Sequence, residues 1–431
     1  MLKLLVKNGR IINPALQQDE IADILIENGK IAAIGTNLAA DETTEVYDAS
    51  GKIVTPGLID IHTHLREPGQ EAKEDIEHGT RAAVAGGITR IATMPNTVPV
   101  VDSSILVKGL KARAEEAGVA KVEVIGAVSK GQKGEQLAEM GDMAFAGAVA
   151  FSDDGHYIEN ASFLRKALEY ASMFGKMVID HAEDPTLVKD GHMHEGRVSH
   201  ELGITGRPAA AEDIATARDI LMSEMTGGHI HIAHISSKKT VEMIREAKKK
   251  GIPVTTEVTA HHLSLTDECL RTYNTAFKVA PPLRSEDHRQ ALIEGLKDGT
   301  IDCIITDHSP HAYEEKDVEF NLAPNGFCGF ETSLGAVLTN VYHTGAVDLN
   351  TIIAAYTCNP AKLIGVDAGV LAAGKEADIT VIDLDKEWTV DSRTFYTKGK
   401  VTPFEGVQFK GKAVLTIVDG EIVMKDGEVL K

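Results

Sequence analysis

Between about Ile53 and Gly365, short apolar stretches alternate with longer stretches of helical pattern. The clearest helical stretches begin with polar residues and end in glycine, as in SSILVKGLKARAEEAG from Ser103 and NASFLRKALEYASMFG from Asn160. This alternation predicts parallel strands joined by crossover helices, arranged either as a closed (β/α)8 barrel or as a doubly wound open sheet. The eight predicted strands are GLIDIHTH, ITRIATMP, VEVIGAV, GAVAFSDD, KMVIDHAED, HIHIAHIS, PVTTEVTAHH and DCIITDHSP.

Polar side chains stand at the C-terminal end of nearly every predicted strand. They are His62, His64, Asn96, Asp154, His181, His234, His261, His262 and Asp307. In a barrel these ends converge on one mouth, whereas an open sheet would spread them along a line. The sequence therefore favours an α/β fold built around a (β/α)8 TIM-type barrel.

Both ends of the chain have the pattern of β-hairpins. Alternating runs such as LLVKNGRIIN and ADILIENGKIAAIG are joined by NG, GK or SG turns, and ADITVIDLD and AVLTIVDGEIV repeat this texture near the C-terminus. We expect the two ends to pack together as one small discontinuous β-sandwich. Residues 1–52 would form its first part, 53–364 the barrel and 365–431 its second part.

The composition limits the partners of the chain. Its formal net charge of −20 disfavours nucleic acid and anionic membrane surfaces, so an anionic substrate would need a local cluster of cations. The sequence contains no apolar run of membrane-spanning length and no signal-peptide pattern, which predicts a cytoplasmic location. Its four cysteines include no CxxC pair, so neither a disulfide framework nor a thiolate zinc site is predicted.

A metal site is the main hypothesis for the barrel mouth. His62 and His64 point the same way from a strand, although such a pair alone is more often a surface or core feature. Further imidazoles and carboxylates at the same mouth would be costly to bury without a cation. The six candidate ligands are His62, His64, Asp154, His181, His234 and Asp307. Their nitrogen and oxygen donors favour Zn²⁺ over Mn²⁺ or Co²⁺, and their number predicts two ions bridged by a carboxylate and a hydroxide.

Two adjacent cations would supply hydroxide near neutral pH and polarise a carbonyl, which predicts hydrolysis of an ester, an amide or a phosphate ester. Arg66 follows His64 by two residues, and its guanidinium suits a carboxylate or a phosphate, although a surface role is common for arginine. Asn96 either caps a turn or helps Arg66 to bind an anion. His311, four residues after Asp307, is either an exposed loop residue or part of the same anion site.

Motifs along the whole chain resemble those of bacterial dihydroorotases of the longer type, within the amidohydrolase superfamily. They are DIHTHLREPG, GTRAAVAGGITRIATMPNTVPV, GAVAFSDDG, IDHAED, HIAHISS, VTAHHLSLTDE, FKVAPPLR and TDHSPHAYEEK. The resemblance implies reversible, zinc-dependent cyclisation of N-carbamoyl-L-aspartate to L-dihydroorotate and water, the ring-forming step of pyrimidine biosynthesis.

The resemblance also implies a role for each site residue. His62, His64 and Asp307 would bind the first zinc ion, and His181 and His234 the second. Asp154 would bridge the two, and Asp307 would carry the proton between the bridging hydroxide and the ring nitrogen. Strand alternation alone leaves Asp153 and Asp154 as alternatives for the bridge. The expected substrate contacts are His64, Arg66, Asn96 and His311, which would hold the α-carboxylate or lie beside it, together with Ala280, Asn325 and Gly326.

Two alternatives remain. Hydantoinases, dihydropyrimidinases and allantoinases are similar barrels that bridge their metals with a carboxylated lysine in the fourth strand, and GAVAFSDDG contains no lysine. An inactive dihydroorotase-like partner of aspartate transcarbamoylase would typically have lost metal ligands, and all six are present here.

Three positions depart from the pattern of the relatives, which often have asparagine at Ala280, an aromatic residue at Asn325 and asparagine at Val401. The segment SPHAYEEKDVEFNLAPNGF is predicted to be a lid over the mouth. A homodimer is expected, and association with aspartate transcarbamoylase is left open.

Overall fold

The structure is a computed structural model that describes residues 3–431. Its strands, numbered along the chain, are β1 (Lys3–Asn13), β2 (Gln18–Glu27), β3 (Lys30–Gly35), β4 (Thr44–Asp48), β5 (Ile53–Pro56), β6 (Leu58–Thr63), β7 (Ile88–Thr93), β8 (Lys121–Gly126), β9 (Ala148–Ser152), β10 (Val178–Asp180), β11 (Met193–His194), β12 (Gly206–Arg207), β13 (Ile230–Ile232), β14 (Val254–Thr259), β15 (Cys303–Ile305), β16 (Ile379–Thr389), β17 (Gln408–Val418), β18 (Glu421–Lys425) and β19 (Glu428–Val429).

The α-helices are α1 (Ile76–Ala85), α2 (Ser104–Ala117), α3 (Met140–Phe145), α4 (Ala161–Ser172), α5 (Pro185–Val188), α6 (Arg197–Leu202), α7 (Ala210–Thr226), α8 (Lys238–Lys249), α9 (Ala260–Ser264), α10 (Glu286–Lys297), α11 (Tyr313–Lys316), α12 (Phe330–Val337), α13 (Leu349–Tyr356) and α14 (Cys358–Ile364). Short 3₁₀ turns lie at Pro14–Leu16, Lys130–Gln132, Asp267–Thr272, Thr275–Phe277 and Ser392–Thr394, and a π-helical turn, Leu338–Tyr342, follows α12. Among residues 3–431, no helix combines the length and the apolar character needed to cross a bilayer.

Eight parallel strands form the central sheet, in the order β6, β7, β8, β9, β10, β13, β14 and β15. Its first and last strands meet at their C-terminal ends, where Thr63 bridges His308 and the His64 amide donates to the His308 carbonyl at 2.9 Å. The sheet is therefore a barrel, and the open-sheet alternative is wrong.

Helix α4 illustrates why the crossover segments are helical and where they pack. The side chain of Asn160 accepts a hydrogen bond from the Phe163 amide and so caps the first turn. One face of the helix, which includes Phe163, Leu164 and Leu168, is buried in the layer between helices and barrel. Burial of each large side chain of this kind contributes about 1.5–3 kcal/mol, so the apolar stripe fixes the helix against the strands.

The two chain ends form one nine-stranded sheet, which confirms that they belong to a common unit. Its two parts are joined by β5, which pairs with β1 in parallel and with β16 in antiparallel orientation. The sheet is therefore continuous from β3 to β19. The chain leaves it after Pro56 and enters the barrel at Leu58. The division of the chain at residues 52/53 and 364/365 stays a prediction.

Glu331, on α12, is a buried carboxyl outside the barrel mouth whose protonation makes the stability of the fold depend on pH. Burial raises the pKa of this carboxyl to about 8, and its Oε1 accepts a hydrogen bond from the Tyr396 amide. Because the folded state holds the proton more tightly than the unfolded state, this group stabilises the fold below its unfolded pKa. The contribution is lost as pH rises toward 8.

We therefore expect Glu331→Gln to leave stability unchanged near pH 4 and to increase it by a few kcal/mol, relative to the natural chain, near pH 8. Urea unfolding midpoints of both chains at several pH values measure this difference. Parallel pH profiles for the two chains would contradict it.

Candidate metal centre

The six predicted metal ligands come from the C-terminal ends of five barrel strands. His62 lies within β6 and His64 just beyond it, while Asp154, His181, His234 and Asp307 follow β9, β10, β13 and β15. Five of them line one cavity of about 440 Å³, and His62 lies fully buried among them. The barrel thus brings together side chains that are up to 245 residues apart, from His62 to Asp307.

Asp154 lies at the centre of this group. Its Oδ1 is 3.4 Å from His62 Nε2, 3.6 Å from His234 Nε2 and 3.8 Å from His181 Nδ1. Its Oδ2 is 3.5 Å from His64 Nε2. Burial alone would raise the pKa of Asp154, but the surrounding imidazoles outweigh it and hold the pKa well below its usual range. One carboxylate therefore faces all four predicted histidine ligands.

The neighbouring Asp153 points elsewhere. Its Oδ1 accepts hydrogen bonds from the amides of Val128, at 2.9 Å, and Ser129, at 3.0 Å, and its Oδ2 accepts from the Ser129 hydroxyl. These bonds hold the loop after β8. The placement supports the choice of Asp154 as the bridge, which the alternation of strand residues left open.

Asp307 lies on the His64 side of the group. Its Oδ1 is 3.2 Å from His64 Nε2 and 3.9 Å from His62 Nε2. The Ser309 hydroxyl donates to the same oxygen at 3.0 Å. Burial favours the neutral acid, but the hydrogen bond to His64 and the nearby imidazoles hold the pKa of Asp307 well below its usual range. The side chain is therefore a carboxylate at neutral pH.

The donor atoms fit a divalent cation. His62 Nε2 and Asp154 Oδ1, which face each other, are buried and have no hydrogen-bond partner among the described residues. Each such atom costs about 1–3 kcal/mol when left unpaired. Two sets of three ligand atoms, each set within 4.8 Å, are formed by His62, His64 and Asp307 and by His62, Asp154 and His234. Imidazole nitrogen and carboxylate oxygen at this spacing suit zinc or a similar metal.

Three of the eleven non-glycine residues with positive φ in residues 3–431 lie at the same place. Arg66, His234 and Asp307 have φ angles of +63°, +29° and +48°, in a backbone region that residues other than glycine rarely adopt. Each such residue costs on the order of 1–3 kcal/mol, and residues of this kind cluster at functional sites. The left-handed turns lie where the chain leaves the barrel strands, beside the shared cavity.

Arg66 and Asn96 line the cavity next to the ligands. Arg66 is buried, and its Nε donates to the Pro310 carbonyl at 3.3 Å. Asn96 Oδ1 accepts a hydrogen bond from His64 Nδ1 at 2.9 Å, which directs His64 Nε2 toward the two aspartates. The amide of Asn96 thus orients a predicted ligand, and its carboxylate-binding role stays a prediction.

His311 also lines the cavity, but its ring nitrogens face protein atoms. Its Nε2 donates to the Asn325 carbonyl at 2.8 Å, and its Nδ1 lies 3.4 Å from Glu315 Oε2. Burial and the Arg66 charge lower the pKa of His311 to about 3, so the ring is neutral. A contact between its N–H and a substrate carboxylate would require this arrangement to change, and that role stays a prediction.

Ala280, Asn325 and Gly326 complete one wall of the cavity. The Gly326 amide already donates to the Lys278 carbonyl at 2.9 Å. At φ +110° this residue must be glycine, because a Cβ there would lie 2.6 Å from Ser309 Cβ. Asn325 and Gly326 belong to the segment predicted as a lid, which contains the short helix α11 and borders the cavity; its movement stays a prediction.

The sequence interpretation missed Glu183 and Arg207. Glu183 Oε2 accepts from His181 Nε2 at 3.2 Å and from Arg207 Nη1 at 3.2 Å. The His181 hydrogen bond and nearby cations outweigh burial and lower the pKa of Glu183 to about 2. Its position two residues after His181 was an available signal, because alternate residues of an extended segment share a face. Arg207, on the short strand β12, had no comparable signal.

The chain is similar to known proteins along nearly its whole length. The family described as Dihydro-orotase-like matches residues 51–240, and the Amidohydrolase family matches residues 326–424. The dihydroorotase of Geobacter metallireducens is 50% identical over 98% of this chain and 100% of its own. The dihydroorotase of Pelotomaculum thermopropionicum is 51% identical over 99% of each chain.

Similar solved structures include L-hydantoinase (dihydropyrimidinase) from Arthrobacter aurescens, with a TM-score of 0.91 and 29% identity over 100% of this chain and 98% of that one. A D-hydantoinase has a TM-score of 0.86 and 26% identity, and the match covers 100% of this chain and 96% of that one. These confirm the barrel fold, whereas the sequence relatives at about half identity distinguish between its families. On this evidence the chain belongs to the dihydroorotase family, within the amidohydrolases.

Proposed function

We propose that this chain is a metal-dependent dihydroorotase that interconverts N-carbamoyl-L-aspartate and L-dihydroorotate with water. The observation that carries the proposal is the position of Asp154, within 3.4–3.8 Å of four imidazole nitrogens and beside a cavity that also contains Asp307 and Arg66. This arrangement supports ring-amide hydrolysis, because it combines a site for cations, a carboxylate for proton transfer and a cation for the substrate carboxylate.

Two ions, proposed to be zinc, would be held by the six ligands, with His62, His64 and Asp307 on one side, His181 and His234 on the other, and Asp154 between them. When bound, the pair supplies water activated at neutral pH and polarises the amide carbonyl. Glu183 and Asn96 keep His181 and His64 turned toward Asp154 through their outer ring nitrogens.

Asp307 is proposed as the general base and acid. Its Oδ1 is held by Ser309, which leaves Oδ2 to take a proton from the attacking water. As the new C–O bond forms and the ring C–N bond breaks, that proton passes to the departing nitrogen. In cyclisation the ureido nitrogen forms the C–N bond and gives its proton to Asp307. Asp307 passes that proton to the hydroxyl of the carboxyl group as its C–O bond breaks, and water leaves.

Arg66 is proposed to bind the substrate carboxylate, which gives a testable expectation. Replacement of Arg66 by methionine should raise the KM for dihydroorotate by about 10- to 100-fold, because a hydrogen bond to a charged group contributes about 1.5–3 kcal/mol. The metal content should stay unchanged, since the guanidinium holds no ion. Steady-state kinetics and metal analysis on the same preparation measure both quantities.

The matched control is Arg165→Met, which removes an exposed arginine from α4, where it pairs with Glu169. Dihydrouracil, hydantoin and allantoin complete the comparison, since they lack the carboxylate. An unchanged KM in Arg66→Met would contradict the assigned role. Hydrolysis of allantoin or hydantoin in preference to dihydroorotate by the natural chain would instead favour the other cyclic amidohydrolases.

The remaining parts of the proposal concern assembly and location. We propose a cytoplasmic homodimer that acts on its small-molecule substrate without nucleic acid or membrane. Association with aspartate transcarbamoylase is the second assembly to test. The dihydroorotase-like chain without activity is not favoured, because the full ligand set is present around Asp154. Light scattering on the purified chain, alone and mixed with the transcarbamoylase, measures both assemblies.

A further inference from the structure

The inside of the barrel contains a polar column that the proposed mechanism does not use. The apolar cluster that fills the barrel takes residues from most strands, among them Ile61, Ile125 and Ile179, and is closed below by α14. β14 contributes none of its members. In their place it has Thr255 and Glu257, and Glu257 is fully buried.

Glu257 contacts the predicted metal ligand His62 from the side away from the barrel mouth. Its Oε1 accepts from His62 Nδ1 at 2.5 Å and from the His234 backbone amide at 3.3 Å. Its Oε2 lies 3.2 Å from His231 Nε2. The two predicted ligands contacted by this carboxylate are thus His62, through its ring, and His234, through its main chain.

The column continues away from the mouth. The His231 Nδ1 and the His229 Nε2 both bond the Thr255 hydroxyl, at 2.8 and 2.7 Å. His231 is therefore held on one side by Thr255 and presents its other nitrogen to Glu257. The column consists of the buried Glu257 and His231 and the half-buried Thr255, which holds the His231 ring by a hydrogen bond.

We propose that Glu257, backed by His231, is the positioning residue of His62. An N–H at His62 Nδ1 that donates to Glu257 leaves the lone pair of Nε2 directed at Asp154 and Asp307. It fixes the ring plane, and the carboxylate makes the imidazole a stronger electron donor. This inference rests on the proposed function, because His62 matters as a ligand only if the site binds metal.

The energetics favour this role over a purely structural one. A carboxylate taken fully out of water carries a desolvation penalty of several kcal/mol, and a core of the same volume built from apolar residues is often as stable or more so. The surrounding cluster shows that apolar residues fill this barrel on six of its eight strands. The Glu257 carboxylate lies against the His62 ring, and its effect on the orientation and donor strength of that ring explains why a charge is buried there.

A different reading would make Glu257 itself a ligand. His231, Glu257 and Cys303 offer three ligand atoms within 4.8 Å of one another, so a third ion there would use the column as its site. The hydrogen bond of 2.5 Å to His62 engages Oε1 in the positioning role. Oε2 and His231 Nε2 have no hydrogen-bond partner among the described residues, so the number of bound ions decides between the two readings. Cys303→Ser separates the two readings without altering Glu257.

The test uses the metal-loaded enzyme and four variants, of which Cys303→Ser is described above. Glu257→Leu removes the acceptor, and Glu257→Gln keeps an acceptor for His62 but removes the charge. The control, Glu212→Gln, makes the same change at a buried carboxylate that accepts from the amides of Ser236 and Ser237. Competition with a chelator counts the ions retained, the visible spectrum of the cobalt-loaded protein reports ligand geometry, and urea unfolding reports stability.

We expect Glu257→Leu to lose one of its two ions about 10- to 100-fold more readily, with an altered cobalt spectrum, and Glu257→Gln to be intermediate. Glu212→Gln and Cys303→Ser should keep both ions and the natural spectrum. Natural metal retention in both Glu257 variants would overturn the inference. So would equal loss in Glu212→Gln, which would indicate general destabilisation, or loss of a third ion in Cys303→Ser. If the natural chain binds no ion, the proposed function fails instead.

Discussion

Replacement of Asp307 by asparagine is expected to lower the turnover number at least about 1,000-fold. An asparagine keeps the size and one acceptor of the side chain, but it cannot take a proton from water and return it to the ring nitrogen. Since Asp307 also faces His64 Nε2 at 3.2 Å, the ion on that side should bind more weakly. Assays at saturating metal separate the two effects, because added metal restores occupancy but not proton transfer.

Asp302→Asn is the matched control for this substitution. Asp302 lies immediately before β15, at the opposite end of the strand that Asp307 follows, and its carboxylate pairs with Lys248 at 2.7 Å. The same change there should leave turnover within about twofold, with only a modest loss of stability. Retention of more than a tenth of the natural turnover by Asp307→Asn at saturating metal would contradict the role of this carboxylate.

Replacement of Asp154 by asparagine is expected to have a second large effect, on metal content as well as on activity. The carboxylate faces four imidazoles, so its loss removes the anion that they share and weakens the binding of both ions together. Metal content should fall from two ions to less than one per chain, and activity should fall by more than about 1,000-fold.

The adjacent Asp153 offers a control with the same chemistry. In Asp153→Asn the new amide oxygen can still accept from the Val128 and Ser129 amides, so metal content should remain at two ions. The two variants differ only in which of two neighbouring aspartates loses its charge. An inverted result, with loss of metal in Asp153→Asn alone, would show that the bridge has been assigned to the wrong residue.

The strand ends were predictable because they depend on local pattern. Each apolar run ends where the chain reaches the barrel mouth, so His62, His181 and Asp307 could be placed from the sequence alone. The observed strands are shorter than the predicted ones. In KMVIDHAED only Val178–Asp180 is strand, because the polar end leaves the sheet to reach the cavity.

The partners of the ligands were not predictable in the same way. Glu257 is 195 residues from His62, and no local pattern connects them. The orientation of Asp153 and Asp154 depends on the turn after β9 rather than on strand alternation, so only coordinates separate them. The same is true of Asn96, whose amide oxygen holds His64 Nδ1.

The nine-stranded sheet formed by the two chain ends shows a further limit of prediction from sequence. The hairpins at both ends followed from their turns. The sheet also requires β5 to pair with β1 on one edge and with β16 on the other, and the pairing with β16 joins residues more than 300 positions apart. That pairing makes one continuous sheet of the two parts, and a pattern of alternating residues contains no information about it.

Metal content determined together with dihydroorotate turnover tests the central claim most directly. The purified chain should contain two divalent ions, lose both activity and ions when dialysed against a chelator, and recover activity in proportion to added zinc up to two equivalents. Full turnover of dihydroorotate by a chain shown to contain no metal would contradict the claim that these six side chains act through bound cations.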